Sequence, residues 1–248
     1  MAKRPVFKAS AVFPYVETIQ TEFVYYPGFA LSQAQKSALS LHNAYLARHP
    51  EDTGRILEVS TRSTEQLGKA LSAFNLLYRT KDGQEVPLEC VFQAGKCFEN
   101  GRQYKDLLRA SARDAKRDPR LRESGGLVHF ELEGRTFPLV PRTLFYDWLY
   151  IAALMQHERL VGEVMAYSVF TDIAFNPEKS INCQARSVAL FVALRKADMA
   201  DKLTEAMRDV ESFRRLVYPE GAVEAAVQEP ETVKQLTLFD SDVFTSKD

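Results

Sequence analysis

Residues 71–100 read LSAFNLLYRTKDGQEVPLECVFQAGKCFEN. Two strand-like runs, LSAFNLLYRT and QEVPLE, flank Asp82-Gly83, a pair that favours a tight turn because glycine tolerates positive φ, so this half predicts a β-hairpin. The second half changes period. Apolar side chains return every three or four positions from about Glu89 to Glu99, which predicts a helix. Outward from this core, Glu133-Gly134 stands between LVHFEL and RTFPLV and predicts a second hairpin. Ser32, followed by Ala34, Ala38, Leu41 and Tyr45, predicts a capped amphipathic helix. After Pro141 three helices are expected: one from about Thr143, apolar nearly all round; one from Gln184; and one from Lys202 carrying Leu203, Met207, Val210 and Phe213. The fold class is α+β, a mostly helical single domain with a small antiparallel sheet.

The 248 residues, 46% hydrophobic and 26% charged, are enough to bury one core without disulfides or metals. Cys90, Cys97 and Cys183 are odd in number and sit in apolar segments, as buried hydrophobes do. No stretch is long and apolar enough for a membrane span, and no leader-like apolar region follows the basic N-terminus, so a soluble, cytoplasmic protein without a membrane partner is expected. The net charge of −1 divides unevenly. From Gly101 to Arg122, eight basic residues (Arg102, Lys105, Arg109, Arg113, Lys116, Arg117, Arg120, Arg122) meet Asp106, Asp114 and Asp118, an excess of five. Such a run reads either as a solvated helix face or as a footprint for phosphates. From Pro219 onward, seven acidic residues stand against two lysines. That stretch is short of large apolar side chains and is expected to be disordered, giving a domain over 1–218 and a tail over 219–248.

Familiar catalytic motifs are missing. At Gly68-Lys69 a phosphate loop would need glycine at Ser63 and a hydroxyl at Ala70. His42, His49, His129 and His157 lack metal-ligand spacing, so neither a metal nor a cofactor is expected. The informative segment is Leu88 to Asn100. On a helix, Glu89, Gln93 and Lys96 fall within an arc of about 60°. Cys90, Val91, Ala94, Cys97 and Phe98 oppose them. A carboxylate, an amide and an amine on one stripe make either a solvated face with one ion pair or the polar edge of a cleft, where a carboxylate beside a lysine serves proton transfer.

Glu89-x-x-Phe92-Gln93-x-x-Lys96 resembles the signature helix of the NADAR family, which includes the YbiA-like N-glycosidases. Three more segments agree in order. LSAFNL (71–76) is similar to the family's LSNFY-like strand. Asp147-Trp148 resembles its DW element, and Phe170-Thr171-Asp172 with Asn176 and Asn182 resembles its WGD-to-Asn segment. YYPGFALSQAQKSALSLH and FTDIAFNPEKSINCQA look closer to the branch paired with DarT-type toxins, which attach ADP-ribose to guanine in DNA. Phe170 for tryptophan and Ala73 for asparagine depart from the wider family, in positions expected to affect substrate shape.

The resemblance implies an antitoxin that hydrolyses the bond between guanine and ADP-ribose. Glu89, Asp172 and Lys96 would be catalytic. Gln93, Trp148, Ser72, Phe74 and Asn182 would bind substrate, and Arg113, Lys116 and Arg117 would hold the pyrophosphate or flanking DNA phosphates. Breaking the bond builds oxocarbenium-like charge on the sugar and needs a proton on the departing base, tasks that suit carboxylates. Lys96 would act either as a Schiff-base nucleophile or as a charged stabiliser. An N-glycosidase of riboflavin intermediates and a non-catalytic ADP-ribose-binding module are the rival readings. Gln235-Leu236-Thr237-Leu238-Phe239 resembles the peptide by which bacterial proteins dock on the replicative sliding clamp, with Gln235, Leu236, Leu238 and Phe239 as the partner-binding residues.

Overall fold

The computed structural model describes residues 1–178 and 180–219. The chain runs β1 (Ala2–Ala9), β2 (Val16–Phe23), α1 (Leu31–Leu46), β3 (Ile56–Glu58), α2 (Gln66–Ala70), β4 (Leu77–Arg79), β5 (Glu85–Pro87), α3 (Leu88–Ala94), β6 (Lys96–Phe98) and α4 (Ala112–Arg117). It continues through α5 (Arg120–Glu123), β7 (Leu127–Leu132), β8 (Arg135–Phe137), α6 (Leu144–Met155), α7 (Glu158–Val164), β9 (Val169–Thr171), α8 (Gln184–Lys196), α9 (Ala200–Ala206) and α10 (Val210–Val217). The architecture is α+β and mainly helical. The chain gathers into two compact units, Met1–Ser72 with Arg159–Ala193, and Ala73–Glu158 with 194–219.

The first unit is built on a four-stranded sheet ordered β2-β1-β9-β3. β1 and β2 pair antiparallel over their whole length, from Ala2↔Phe23 to Ala9↔Val16, whereas β3 and β9 run parallel. Val6, Phe23, Ile56 and Val169 meet Ala38, Leu41 and Tyr45 of α1 in one buried cluster. The period-3.6 apolar stripe of α1 thus covers the sheet. The cap differs from expectation: Ala30 is the N-cap and Ser32 lies inside the first turn, with no side-chain cap bond.

The second unit holds the β4–β5 hairpin and an antiparallel sheet ordered β6-β7-β8. Both expected turns form: Gly83 has φ +82°, and Glu133 and Gly134 have φ +51° and +80°, the two positive values of a type I′ turn. Residues 71–76 form turns, not the strand expected of LSAFNL. Their carbonyls instead start α3, since Leu88 N–H donates to Leu76 O and Glu89 N–H to Ala73 O, both at 2.9 Å. These bonds satisfy amides at the helix start that have no intrahelical acceptor.

α3 ends at Ala94, not near Glu99. A Cβ at Gly95 would lie 2.9 Å from Phe145 Cζ and 3.3 Å from Glu131 O, so the close approach of α6 and β7 requires glycine there. Lys96 then opens β6, paired with Phe130 of β7. Phe92 anchors α3 among Phe130, Phe145 and Tyr146 at ring distances of 5.4, 5.9 and 5.4 Å. The helix expected from Lys202 is two, α9 and α10, divided where Asp209 caps α10 through Ser212 N–H at 2.8 Å. The antiparallel β6-β7-β8 sheet is the small sheet expected, and the larger, mixed sheet of the first unit is an addition that the sequence reading did not contain.

Candidate active site

Glu89, Gln93 and Lys96 are 0%, 1% and 3% exposed, which excludes the solvated-face reading of the stripe. They are brought together by a route other than a single helix. Glu89 and Gln93 are one turn apart on α3, and Gln93 Nε2 donates to Glu89 Oε1 at 2.8 Å. Lys96 lies beyond the Gly95 break, on β6, with Nζ 5.3 Å from the Phe92 ring centre. Burial pushes the Glu89 carboxyl up, opposed first by the charge of Lys116, then by the Gln93 hydrogen bond and the charge of Lys96. Burial drives the Lys96 ammonium down to about 8, against the pull of the Glu89 charge. Each group is therefore moved toward its neutral form, as desolvation dictates.

Two acceptors in this cluster, Glu89 Oε2 and Gln93 Oε1, have no hydrogen-bond partner among the described residues. Buried polar atoms are nearly always satisfied, and such a pair marks where a ligand's hydroxyl or N–H donors would fit. Lys116 belongs to this neighbourhood. Its Nζ is 5.4 Å from the ring centre of Phe74, itself half-buried. The helix expectation for the basic run is corrected: Asp118-Pro119 divides it into α4 and α5. Arg120 is held by Asp106 at 2.6 Å and Asp118 at 2.7 Å and stacks on Tyr104. Arg113 and Arg117 are exposed on α4.

Trp148 is buried in the same unit, its ring centre 5.1 Å from Phe137 and 5.5 Å from the Arg135 guanidinium carbon. Its indole N–H finds no acceptor among the described residues. The preceding Asp147 accepts a very short hydrogen bond from the Tyr218 hydroxyl, which ties the end of α10 to α6.

Asp172 belongs to the first unit, directly after β9. Its Oδ1 accepts from Ala174 N–H at 3.0 Å and its Oδ2 from Gln184 Nε2 at 2.9 Å. Burial, then the charge of Glu58, pushes its carboxyl up to about 8. Glu58, missed by sequence reading, is also buried and accepts from Ser60, Thr171 and Ile173. The available signal was a carboxylate inside the apolar run Ile56-Leu57-Glu58-Val59. Ser72 and Asn182 are buried in this unit as well, and Ser72 Oγ and Asn182 Oδ1 lack a partner among the described residues. Phe170 and Ala73, the departures from the wider family pattern, are fully buried.

Among the described residues two groups carry metal-binding residue types, Cys97–His129–Glu131 and His49–Glu51–Asp52. In each a lysine already engages the carboxylate: Lys105 approaches Glu131 at 3.5 Å, and Lys8 approaches Asp52 at 2.8 Å. We assign no metal to either.

A mainly helical α+β chain with a buried, partly neutralised lysine beside a buried carboxylate has the equipment of an acid–base or covalent catalyst. The family model of DarT1-associated NADAR antitoxins matches residues 2–227, and the chain belongs to that family. No curated protein matches it. Among the described residues no helix is long and apolar enough to cross a membrane.

Proposed function

We propose that the protein is an ADP-ribosyl hydrolase that removes ADP-ribose from guanine bases of DNA and so reverses the work of a DarT-type toxin in the cytoplasm. The observation that carries this reading is the buried Glu89–Gln93–Lys96 group in a member of this antitoxin family. A lysine lowered to about 8 is in part a free amine near neutral pH. Such an amine can add to C1 of the ring-opened glycosylamine and expel guanine as its own amine, leaving a lysine imine. Water then cleaves the imine, regenerating Lys96 and releasing ADP-ribose. Glu89 suits the proton transfers at C1 and at the attacking water, and its open oxygen, with that of Gln93, suits the sugar hydroxyls. For Asp172 we propose protonation of the departing base.

Ser72, Phe74, Asn182 and Trp148 are proposed as substrate-binding residues. Exposed Arg113 and Arg117 would contact DNA phosphates, while Lys116, turned toward Phe74 and Glu89, would act on the sugar–pyrophosphate portion of the substrate. We treat residues 1–218 as one catalytic domain, because the family match runs through both units. The clamp-docking residues Gln235, Leu236, Leu238 and Phe239 lie outside the described residues. Docking is proposed on the motif alone, and full-length protein that fails to bind purified clamp would end that proposal.

The test is chromatography of an oligonucleotide ADP-ribosylated on guanine after incubation with the purified protein. Free ADP-ribose and intact guanine are expected. Turnover of riboflavin intermediates without release from DNA would transfer the assignment to the small-molecule glycosidases. Binding of ADP-ribose without release would make the protein a binding module.

A further inference from the structure

The first unit holds a second buried carboxylate beside Asp172. β3 and β9 run parallel with Glu58 opposite Thr171, so Glu58 and the residue after Thr171 emerge at the same end of the sheet. Glu58 and Asp172 are 4% and 2% exposed. The two carboxyls differ in how they are held. Glu58 accepts three hydrogen bonds, from Ser60 Oγ and Thr171 Oγ1 at 2.6 Å each and from Ile173 N–H at 2.9 Å. Asp172 accepts two. Burial pushes the Glu58 carboxyl up as it does that of Asp172, but its three hydrogen bonds and the charge of Arg62 oppose the push. A carboxylate with more donors is the better anion, and two neighbouring buried carboxyls do not readily both ionise.

Behind Thr171 stands His42, whose Nε2 is 2.8 Å from Thr171 Oγ1. The single hydroxyl proton of Thr171 goes to Glu58, so His42 must donate its own Nε2–H to the threonine oxygen. Burial holds this imidazole neutral, down at about 4. The chain His42→Thr171→Glu58 points every donor at Glu58 and none at Asp172. Among the described residues, Arg62 also acts on Asp172, lowering it, and Asp172 in turn acts on the buried Cys183 thiol.

We infer that Glu58 is a positioning residue, the more readily ionised carboxyl of the pair, held by Thr171 and His42, which keeps Asp172 in the carboxylic-acid form that can donate a proton. This rests on the reading of Asp172 as the proton donor to the departing base. Glu58 itself has no role at the reacting atoms.

Glu58→Gln tests the assignment and preserves the packing. The amide oxygen still accepts from Ser60 and Ile173, and its Nε2 donates to Thr171, whose hydroxyl turns to a reprotonated His42 tautomer. Full-length protein labelled with ¹³C at aspartate carboxyls should show one aspartate titrating near pH 8, and Glu58→Gln should lower its midpoint by about one unit or more. Thr171→Val, which removes the hydroxyl at constant shape, should shift it the same way by less, and Thr171→Ser should restore it. In release of ADP-ribose from modified DNA, the alkaline limb of the pH–rate profile should move down with the NMR midpoint, an about tenfold loss above pH 8 for each unit.

An NMR midpoint that is unmoved in Glu58→Gln and Thr171→Val overturns the inference, as does uniform loss of rate at every pH without a shift of the limb. If Glu58→Gln fails to fold, the Thr171→Val and Thr171→Ser pair decides. A midpoint that shifts in a protein releasing no ADP-ribose would leave the carboxyl pair standing and remove the hydrolase reading instead.

Discussion

Lys96 offers the sharpest test of mechanism. With its ammonium lowered to about 8, roughly a tenth of Lys96 is free amine at pH 7, against about one part in three thousand for a lysine of ordinary pKa, an enrichment of about 300-fold. If the amine is the nucleophile, the rate rises with pH as Lys96 loses its proton. If Asp172 must supply a proton, the rate falls as that carboxyl ionises, also near 8. The product of the two fractions peaks near pH 8 and drops about 25-fold two units to either side, a narrow bell. A charged Lys96 acting only by electrostatics predicts the alkaline fall with no acid limb. Glu89→Gln removes the charge that favours the ammonium, so Lys96 should deprotonate more readily and the acid limb should move to lower pH.

The assay combines single-turnover release from modified oligonucleotide between pH 6 and 10 with a borohydride reagent added during turnover. Mass spectrometry should find an ADP-ribose adduct on Lys96 that Lys96→Ala lacks. A rate that is level from pH 6 to 8, an adduct on another residue, or an acid limb unmoved by Glu89→Gln would each refute the nucleophile.

Gly95→Ala should destabilise the protein by about 1–3 kcal/mol, the usual cost of overpacking, because the added methyl would stand 2.9 Å from Phe145 Cζ. Since Lys96 follows directly, activity should fall more steeply than thermal unfolding alone explains; a melting temperature like that of the wild type would contradict the packing argument. Paired Arg113→Ala and Arg117→Ala changes should cut activity on DNA more than on an ADP-ribosylated nucleotide and should flatten the salt dependence by about one logarithmic unit for each phosphate no longer neutralised. An unchanged salt slope would leave these arginines as solvated surface.

Much of the local structure was readable from the chain because its causes are local. Asp82-Gly83 and Glu133-Gly134 form the expected turns since positive φ is a property of the residues themselves. The stripe of α1 follows the helical period, α6 forms as expected from a run that is apolar nearly all round, and α8 starts at Gln184 as expected. β1 escaped notice because Pro5 and three basic residues interrupt its apolar pattern. β9 pairs with β1 at Phe7 and Lys8 alone, so Pro5 sits beyond that paired stretch. β3 and β9 are three residues each, too short to show a period, and meet only because the fold brings positions 56–58 and 169–171 side by side.

The same division holds for the candidate site. Residue identity and spacing placed Glu89, Gln93 and Lys96 together, and the family resemblance attached them to a chemistry. Glu89 and Gln93 hydrogen-bond and the charges of Lys96 and Glu89 act on each other, although for a reason helical periodicity did not contain: Gly95 ends α3 under the close approach of Phe145, and Lys96 enters from a strand. Whether that stripe faced water or the interior was undetermined by sequence, because burial depends on what packs from elsewhere in the chain. Only the tertiary structure removed these groups from solvent, shifted Lys96 toward the free amine, and set Glu58 and Asp172 in one buried neighbourhood although 114 positions apart in numbering, 172 less 58. Charge state follows local dielectric and near neighbours, and both are products of the whole fold.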